Sequence, residues 1–150
     1  KNGFCAHEFI VDFREFKNFG VSEQDVSKRL ADYNFHAPTM SWPVSGTMMI
    51  EPTESEDLDE LERFCTTMIS IRKEIGLIVS GIQKYEDSPL YGAPHTIECL
   101  VGSWDKKYSR ETAVFPEPNL RDNKVWPTVT RVNDTHGDRN LVCSWKSARE

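Results

Sequence analysis

Cysteine is sparse and scattered in this chain of 150 residues: Cys5, Cys65, Cys99 and Cys143 stand far apart and form no CxxC pair. That excludes a disulfide framework and a zinc ligand set recognisable by spacing. The four histidines, His7, His36, His95 and His136, are equally dispersed, beside Gly, Pro or Ala at apparent turns and loop edges, so no metal site is expected. Positive charge is in deficit, with 18 Lys and Arg against 24 Asp and Glu. A net charge of -6 argues against a nucleic-acid partner, which would call for a basic face. No apolar run approaches the roughly 20 residues that span a bilayer, so no membrane segment is expected. GxSxG elbows, Walker loops, GxGxxG turns, HExxH helices, internal repeats and low-complexity tracts are missing as well.

What is present suits one soluble domain with a real core, at 38% hydrophobic and 28% charged residues. A mean hydropathy of -0.55 is polar for a compact domain. Part of the chain is therefore expected to lean on a partner or to lie irregularly on the surface. The opening Lys1-Asn2-Gly3-Phe4-Cys5 is neither a signal nor a transit peptide and has no start methionine, which suggests a piece of a longer chain. Asn133-Asp134-Thr135 matches a glycosylation sequon and, with no secretory signal in view, reads as coincidence.

The densest chemistry lies in residues 35–56, FHAPTMSWPVSGTMMIEPTESE. His36 opens a loop, Ser45-Gly46 turns into an apolar strand over residues 47–50, and Thr53 to Glu56 read as a capping box at a helix start. Before it, residues 7–13 (HEFIVDF) read as a strand with Phe9 and Val11 on one face, and residues 14–20 as a loop. Ser22 is a predicted N-cap with Asp25 at the third helical position and a Val21–Val26 staple. Val26, Leu30 and Tyr33 form the inward stripe of that helix, with Lys28, Arg29 and Asp32 on the outer face.

A long helix is predicted over residues 54–80, its apolar stripe including Leu58, Cys65 and Ile69. The acidic residues near its start complement the helix dipole. Gly76 loosens this helix and Gly81 ends it. Residues 40–44 suggest a third strand, placed at an edge by Pro43. The result is a small α/β layer with one sheet face covered by two helices. From residue 84 the chain changes character: it is proline-rich and weakly periodic. It has a strand or helix over 97–101, a short strand over 141–145, and is otherwise extended, held by Trp104, Tyr108, Phe115 and Trp126. Arg110, Arg121, Arg131 and Arg139 are candidate carboxylate or phosphate ligands, against the alternative of local pairing, Arg110 with Glu111 or Arg139 with Asp138.

The segments HEFIVDFREFK, FHAPTMSWPVSGTMMIEPTESE, LERFCTTMISIRKEI, GAPHT, YSRETAVFPEP, KVWPTVTRV and GDRNLVC, in this order, resemble the C-terminal end of glycine decarboxylase, the P-protein of the glycine cleavage system. The resemblance covers nearly the whole chain. It implies the small α/β C-terminal domain (residues 1–83) of a fold-type-I pyridoxal-phosphate enzyme, followed by an extended, largely irregular tail (84–150) wrapping toward the active-site mouth. It further implies decarboxylation of glycine through a Schiff base with pyridoxal phosphate and transfer of the aminomethyl group to the lipoyl arm of the H-protein. The enzyme would be a homodimer or a paired subunit, mitochondrial in eukaryotes and cytoplasmic in bacteria. The FHAPTMSWPV wording leans toward the eukaryotic form.

The cofactor lysine is expected upstream, so none of the lysines here is a catalytic candidate. Residues expected near substrate or cofactor are His36, Thr39, Arg131 and Arg139, and Cys143 is a redox candidate. The second reading is a non-catalytic docking module for the H-protein or a partner subunit. The chain departs from the family wording at Lys107, where proline is usual, at Asn133, where aspartate is, and at His136, where tyrosine is common.

Overall fold

The computed structural model describes residues 3–142. Strand β1 (Phe9–Asp12) pairs antiparallel with β3 (Thr47–Ile50), and β2 (Thr39–Met40) pairs antiparallel with the other side of β3, giving the order β1-β3-β2. The register sets Phe9 opposite Ile50 and Val11 opposite Met48, so Phe9 and Val11 share a face as their alternation predicts. Central β3 is the most buried strand, with Thr47, Met48 and Ile50 inside. The β2 strand is an edge, but of the strand expected over residues 40–44 only Met40 pairs; residues 41–44 turn away, and Pro43 lies outside the strand in a cis bond.

Helix α1 (Glu23–Asp32) starts where its local chemistry requires. The Asp25 carboxylate accepts from Ser22 N (2.7 Å) and Ser22 Oγ (2.8 Å), while Val21 and Val26 are fully buried around the turn. Helix α2 (Leu58–Val79) crosses the same core with Ile71, Ile75 and Ile78. They pack with Val26, Leu30, Tyr33, Met48 and Ile50, and with Leu90 and Leu120 from beyond the long helix.

Several expectations are corrected. Residues 14–19 are not open loop but a 3-10 helix (Arg14–Phe19) that buries Phe16 and closes on Gly20 at φ 83°. Thr53 and Ser55 bond each other rather than cap the long helix. The cap is Asp57, whose carboxylate accepts from Glu60 N at 2.8 Å. Cys65 is exposed rather than core, as are Leu58 (68%) and Ile69 (57%), because the inward face of α2 is set by Thr67, Ile71, Ile75 and Ile78. Arg29 and Asp32 are fully buried, not on the outer face of α1.

Beyond residue 84 come short helices: α3 (Pro89–Gly92), α4 (Ile97–Val101), α5 (Arg110–Val114) and α6 (Asp134–Arg139), where residues 110–114 and 134–139 were expected extended. Of the strand expected over residues 141–145, Leu141 and Val142 are irregular and exposed, and the remainder lies outside the described residues.

Candidate functional site

The C-terminus of α1 carries a buried polar network that periodicity assigned to solvent. Asp32 accepts from His95 N at 2.7 Å, faces His95 Nδ1 at 2.8 Å and accepts from Arg29 Nη1 at 2.9 Å. Arg29 also reaches Glu74 of α2 at 2.8 Å and the carbonyls of Thr112 and Ala113 in α5 at 2.8 and 2.7 Å. Burial works against the charge on Arg29, but Glu74 and Asp32 outweigh it, and its pKa lies above the ordinary arginine value.

The imidazole of His95 is thus held between two partners, with Nδ1 on the Asp32 carboxylate and Nε2 2.8 Å from the Tyr108 hydroxyl. Burial pushes the Tyr108 phenol well above its usual range, keeping it a donor. Trp104 Nε1 in turn donates to Tyr108 O at 2.7 Å. Gly92 closes the arrangement: a Cβ there would stand 2.0 Å from the Tyr108 oxygen. Lys124 donates from Nζ to Asp32 O, and burial lowers its pKa to about 8.

A second cluster centres on Asp25, which accepts from Tyr85 OH (2.8 Å) and Arg131 Nη1. Arg131 also donates to Leu90 O (2.8 Å) and Ala93 O (3.1 Å), so one guanidinium ties the tail to α1 and to the turn before His95. Burial, then the bond to Asp25, pushes Tyr85 up to about 12. Arg131 also lines a cleft of about 550 Å³ with Lys106, Asp134, Cys99, Tyr91 and Gln24.

His36 and Thr39 meet in a different cleft of about 400 Å³, floored by Phe35, Met49 and Phe64 and rimmed by Glu51, Glu56 and Glu60. Arg139 is exposed on α6, and Cys143 lies outside the described residues. The four described candidates therefore do not converge: His36 and Thr39 share one cleft, and Arg131 faces another. The local pairing weighed for Arg110 is replaced by bonds to Leu100 O and Gly102 O, while Arg121 pairs with Glu111.

Sequence reading passed over His95 as a turn-edge residue. The available signal was the GAPHT turn together with Arg29 and Asp32 at i, i+3. His7, Glu8 and Glu51 also stand close enough to share a cation, though all three are exposed. No helix among the described residues is long and apolar enough to cross a membrane.

The family described as glycine dehydrogenase, C-terminal domain, matches residues 1–95. A decarboxylating glycine dehydrogenase of Aliivibrio fischeri (strain MJ11) is 53% identical over 148 residues, covering 97% of this chain and 16% of its own length. Its counterpart in Photorhabdus laumondii is 56% identical over 144 residues, covering 95% of this chain and 15% of its own. The mitochondrial protein of that name from Solanum tuberosum is 57% identical over 145 residues, covering 95% of this chain and 14% of its own. The chain thus spans about one-sixth of the length of these relatives.

Proposed function

Because the chain belongs to the family of glycine dehydrogenase C-terminal domains, we propose that it is the C-terminal portion of a decarboxylating glycine dehydrogenase. The observation that carries this is the likeness to relatives of that name along 95% or more of the chain. In this reading glycine loses its carboxyl group as CO2, and the aminomethyl group passes to the lipoyl arm of an H-protein. Pyridoxal phosphate supplies the electron sink when bound. Residues 1–83 are the small domain of a fold-type-I enzyme, and residues 84–150 its extension toward the active-site mouth. The compartment follows the source, mitochondrial matrix or bacterial cytoplasm, in line with the mitochondrial label of the potato relative and the bacterial ones beside it.

In this reading these residues do not supply the pyridoxal-phosphate lysine. Lys124 has a lowered pKa, as a Schiff-base lysine needs, but its ammonium group is committed to Asp32 O and sits over the Trp126 ring. The acidic rim of the His36 cleft would repel a phosphate ester. The cofactor lysine is accordingly assigned to the rest of the longer protein. His36 and Thr39 are assigned to the entrance of the site, and Arg131 and Arg139 to attraction of the substrate carboxylate.

Borohydride reduction of the full-length protein with pyridoxal phosphate, followed by peptide mapping, tests the assignment. One stoichiometrically labelled lysine is expected outside these 150 residues; label on Lys124 would overturn it. The docking-module reading draws on Val125, Val129 and Val132, exposed along one stretch of the tail. Arg139→Ala separates the two. A decarboxylation role predicts slower glycine-dependent exchange even with free lipoate, whereas docking predicts a loss confined to assays with the H-protein.

A further inference from the structure

Helix α1 and its C-cap carry two buried stripes of the same spacing. Val26, Leu30 and Tyr33 face the hydrophobic core, and one position earlier Asp25, Arg29 and Asp32 repeat the i, i+4, i+7 steps. The second stripe is charged, yet none of its three residues is more than 1% exposed. Its charge is satisfied group by group. All five N–H groups of Arg29 are used: Nε and one N–H of Nη2 on Glu74, one of Nη1 on Asp32, and the last two on the carbonyls of Thr112 and Ala113. Asp25 turns Oδ2 to Ser22 and Oδ1 to Tyr85 and Arg131. Asp32 holds His95 with its side chain and Lys124 with its carbonyl. Just past the helix, Asn34 donates to Asn123 O at 2.6 Å and accepts from Val125 N at 2.9 Å.

Four partners of this stripe, Thr112, Ala113, Lys124 and Arg131, lie beyond residue 95, where the family match ends. The same segment also brings Val114 and Leu120 into the interior. The two contributions are unequal. Losing an aliphatic side chain leaves a cavity that partly collapses, whereas losing the counter-groups leaves an ion in a desolvated site. We infer that α1 and residues 96–131 form an interlock: α1 holds its buried position only once the chain through Arg131 has closed over the charged stripe. Residues 1–95 are then not a folding unit by themselves, and the segment after them completes their core. Chain order makes the interlock a completion check, because α1 precedes in sequence every partner that its charges need beyond Ser22. A truncation before residue 112 would silence the protein by releasing α1, without removing any group from a reacting centre.

The test is hydrogen exchange, read by mass spectrometry, on the full-length protein and on two forms of it with stop codons after residues 133 and 109. The form ending at 133 keeps every partner of the stripe, and its α1 amides should exchange as slowly as in the wild type. In the form ending at 109 they should exchange at least about tenfold faster. In the uncut chain, Arg29→Lys keeps the charge but has three donors in place of a five-donor fork. Exchange should then rise in α1 and in residues 110–114 together, because the two sides open as one unit. This variant decides the matter should the form ending at 109 not accumulate. Protected α1 in that form, lost protection in the form ending at 133, or a rise confined to one side in Arg29→Lys would each overturn the interlock. Neither glycine nor cofactor enters the readout, so its failure leaves the functional reading where it stands.

Discussion

Replacing Gly92 with alanine probes the link between the GAPHT turn and Tyr108. The added Cβ would lie 2.0 Å from the Tyr108 oxygen, 3.0 Å from His95 Nε2 and 3.3 Å from Tyr108 Cζ. His95 cannot retreat, because Asp32 holds it through both the backbone N–H and Nδ1. Tyr108 must therefore swing out and give up its bond to His95. Overpacking costs about 1–3 kcal/mol and a lost buried hydrogen bond about 1–3 kcal/mol, so Gly92→Ala should destabilise by about 3 kcal/mol. Tyr108→Phe removes only the hydroxyl, leaves His95 Nε2 unpaired and should cost about 2 kcal/mol. In the Tyr108→Phe background the 2.0 Å clash is gone, and adding Gly92→Ala should cost only about 1 kcal/mol more. The double mutant then falls short of the summed single effects by about 2 kcal/mol. Urea unfolding followed by tryptophan fluorescence measures all four proteins, with Trp104 packed 5.8 Å from Tyr108 as a local reporter. Strictly additive effects would refute the proposed contact.

Other perturbations follow from the same geometry. Arg29→Ala strands the buried carboxylate of Asp32 beside the half-buried one of Glu74 and should cost about 3–5 kcal/mol by chemical denaturation. Burial holds Lys124 at about 8 against an ordinary value of 10.5, so the unfolded chain binds the extra proton between those values and stability should rise with pH there. Lys124→Met should flatten that rise. The slope is read below pH 10, because unfolded tyrosines ionise above it while folded Tyr85 and Tyr108 stay protonated, which lowers stability. Arg131→Ala unties the tail from Asp25, Leu90 and Ala93, and hydrogen exchange over residues 128–135 should speed up while β3 stays protected. Ser22→Ala removes the hydroxyl that donates to Asp25 at the start of α1, leaves the backbone N–H bond in place, and should cost about 1 kcal/mol in thermal or urea melts.

Reading α1 from sequence shows where local rules reach and where they stop. Its start was legible because Ser22, Asp25, Val21 and Val26 act on one another within a turn. Its outer face was misread because Arg29 and Asp32 look solvated by periodicity, and only partners at residues 74, 95, 112, 113 and 124 make their burial tolerable. The same holds for α2. Its length was visible in the apolar pattern, but which of Cys65, Ile69 and Ile71 faces inward depends on how the helix is rotated against α1, α3 and the 3-10 helix over residues 14–19. For the site, His36 and Thr39 meet in one cleft as their neighbourhood in sequence suggested, whereas His95 gave only a turn signal.

Family membership, the α1 cap and the absence of a bilayer-length apolar run were determined by the sequence alone, through contacts spanning a few residues or wording specific enough to match relatives. Tertiary structure alone decided that Asp32, His95 and Tyr108 form one chain of hydrogen bonds, that Arg131 fastens the tail, and that Cys65 and Ile69 of α2 point away from the core. Those outcomes depend on groups 13 to 106 residues apart meeting in a desolvated interior, where an unpaired charge is too costly to leave and no local pattern records the partner.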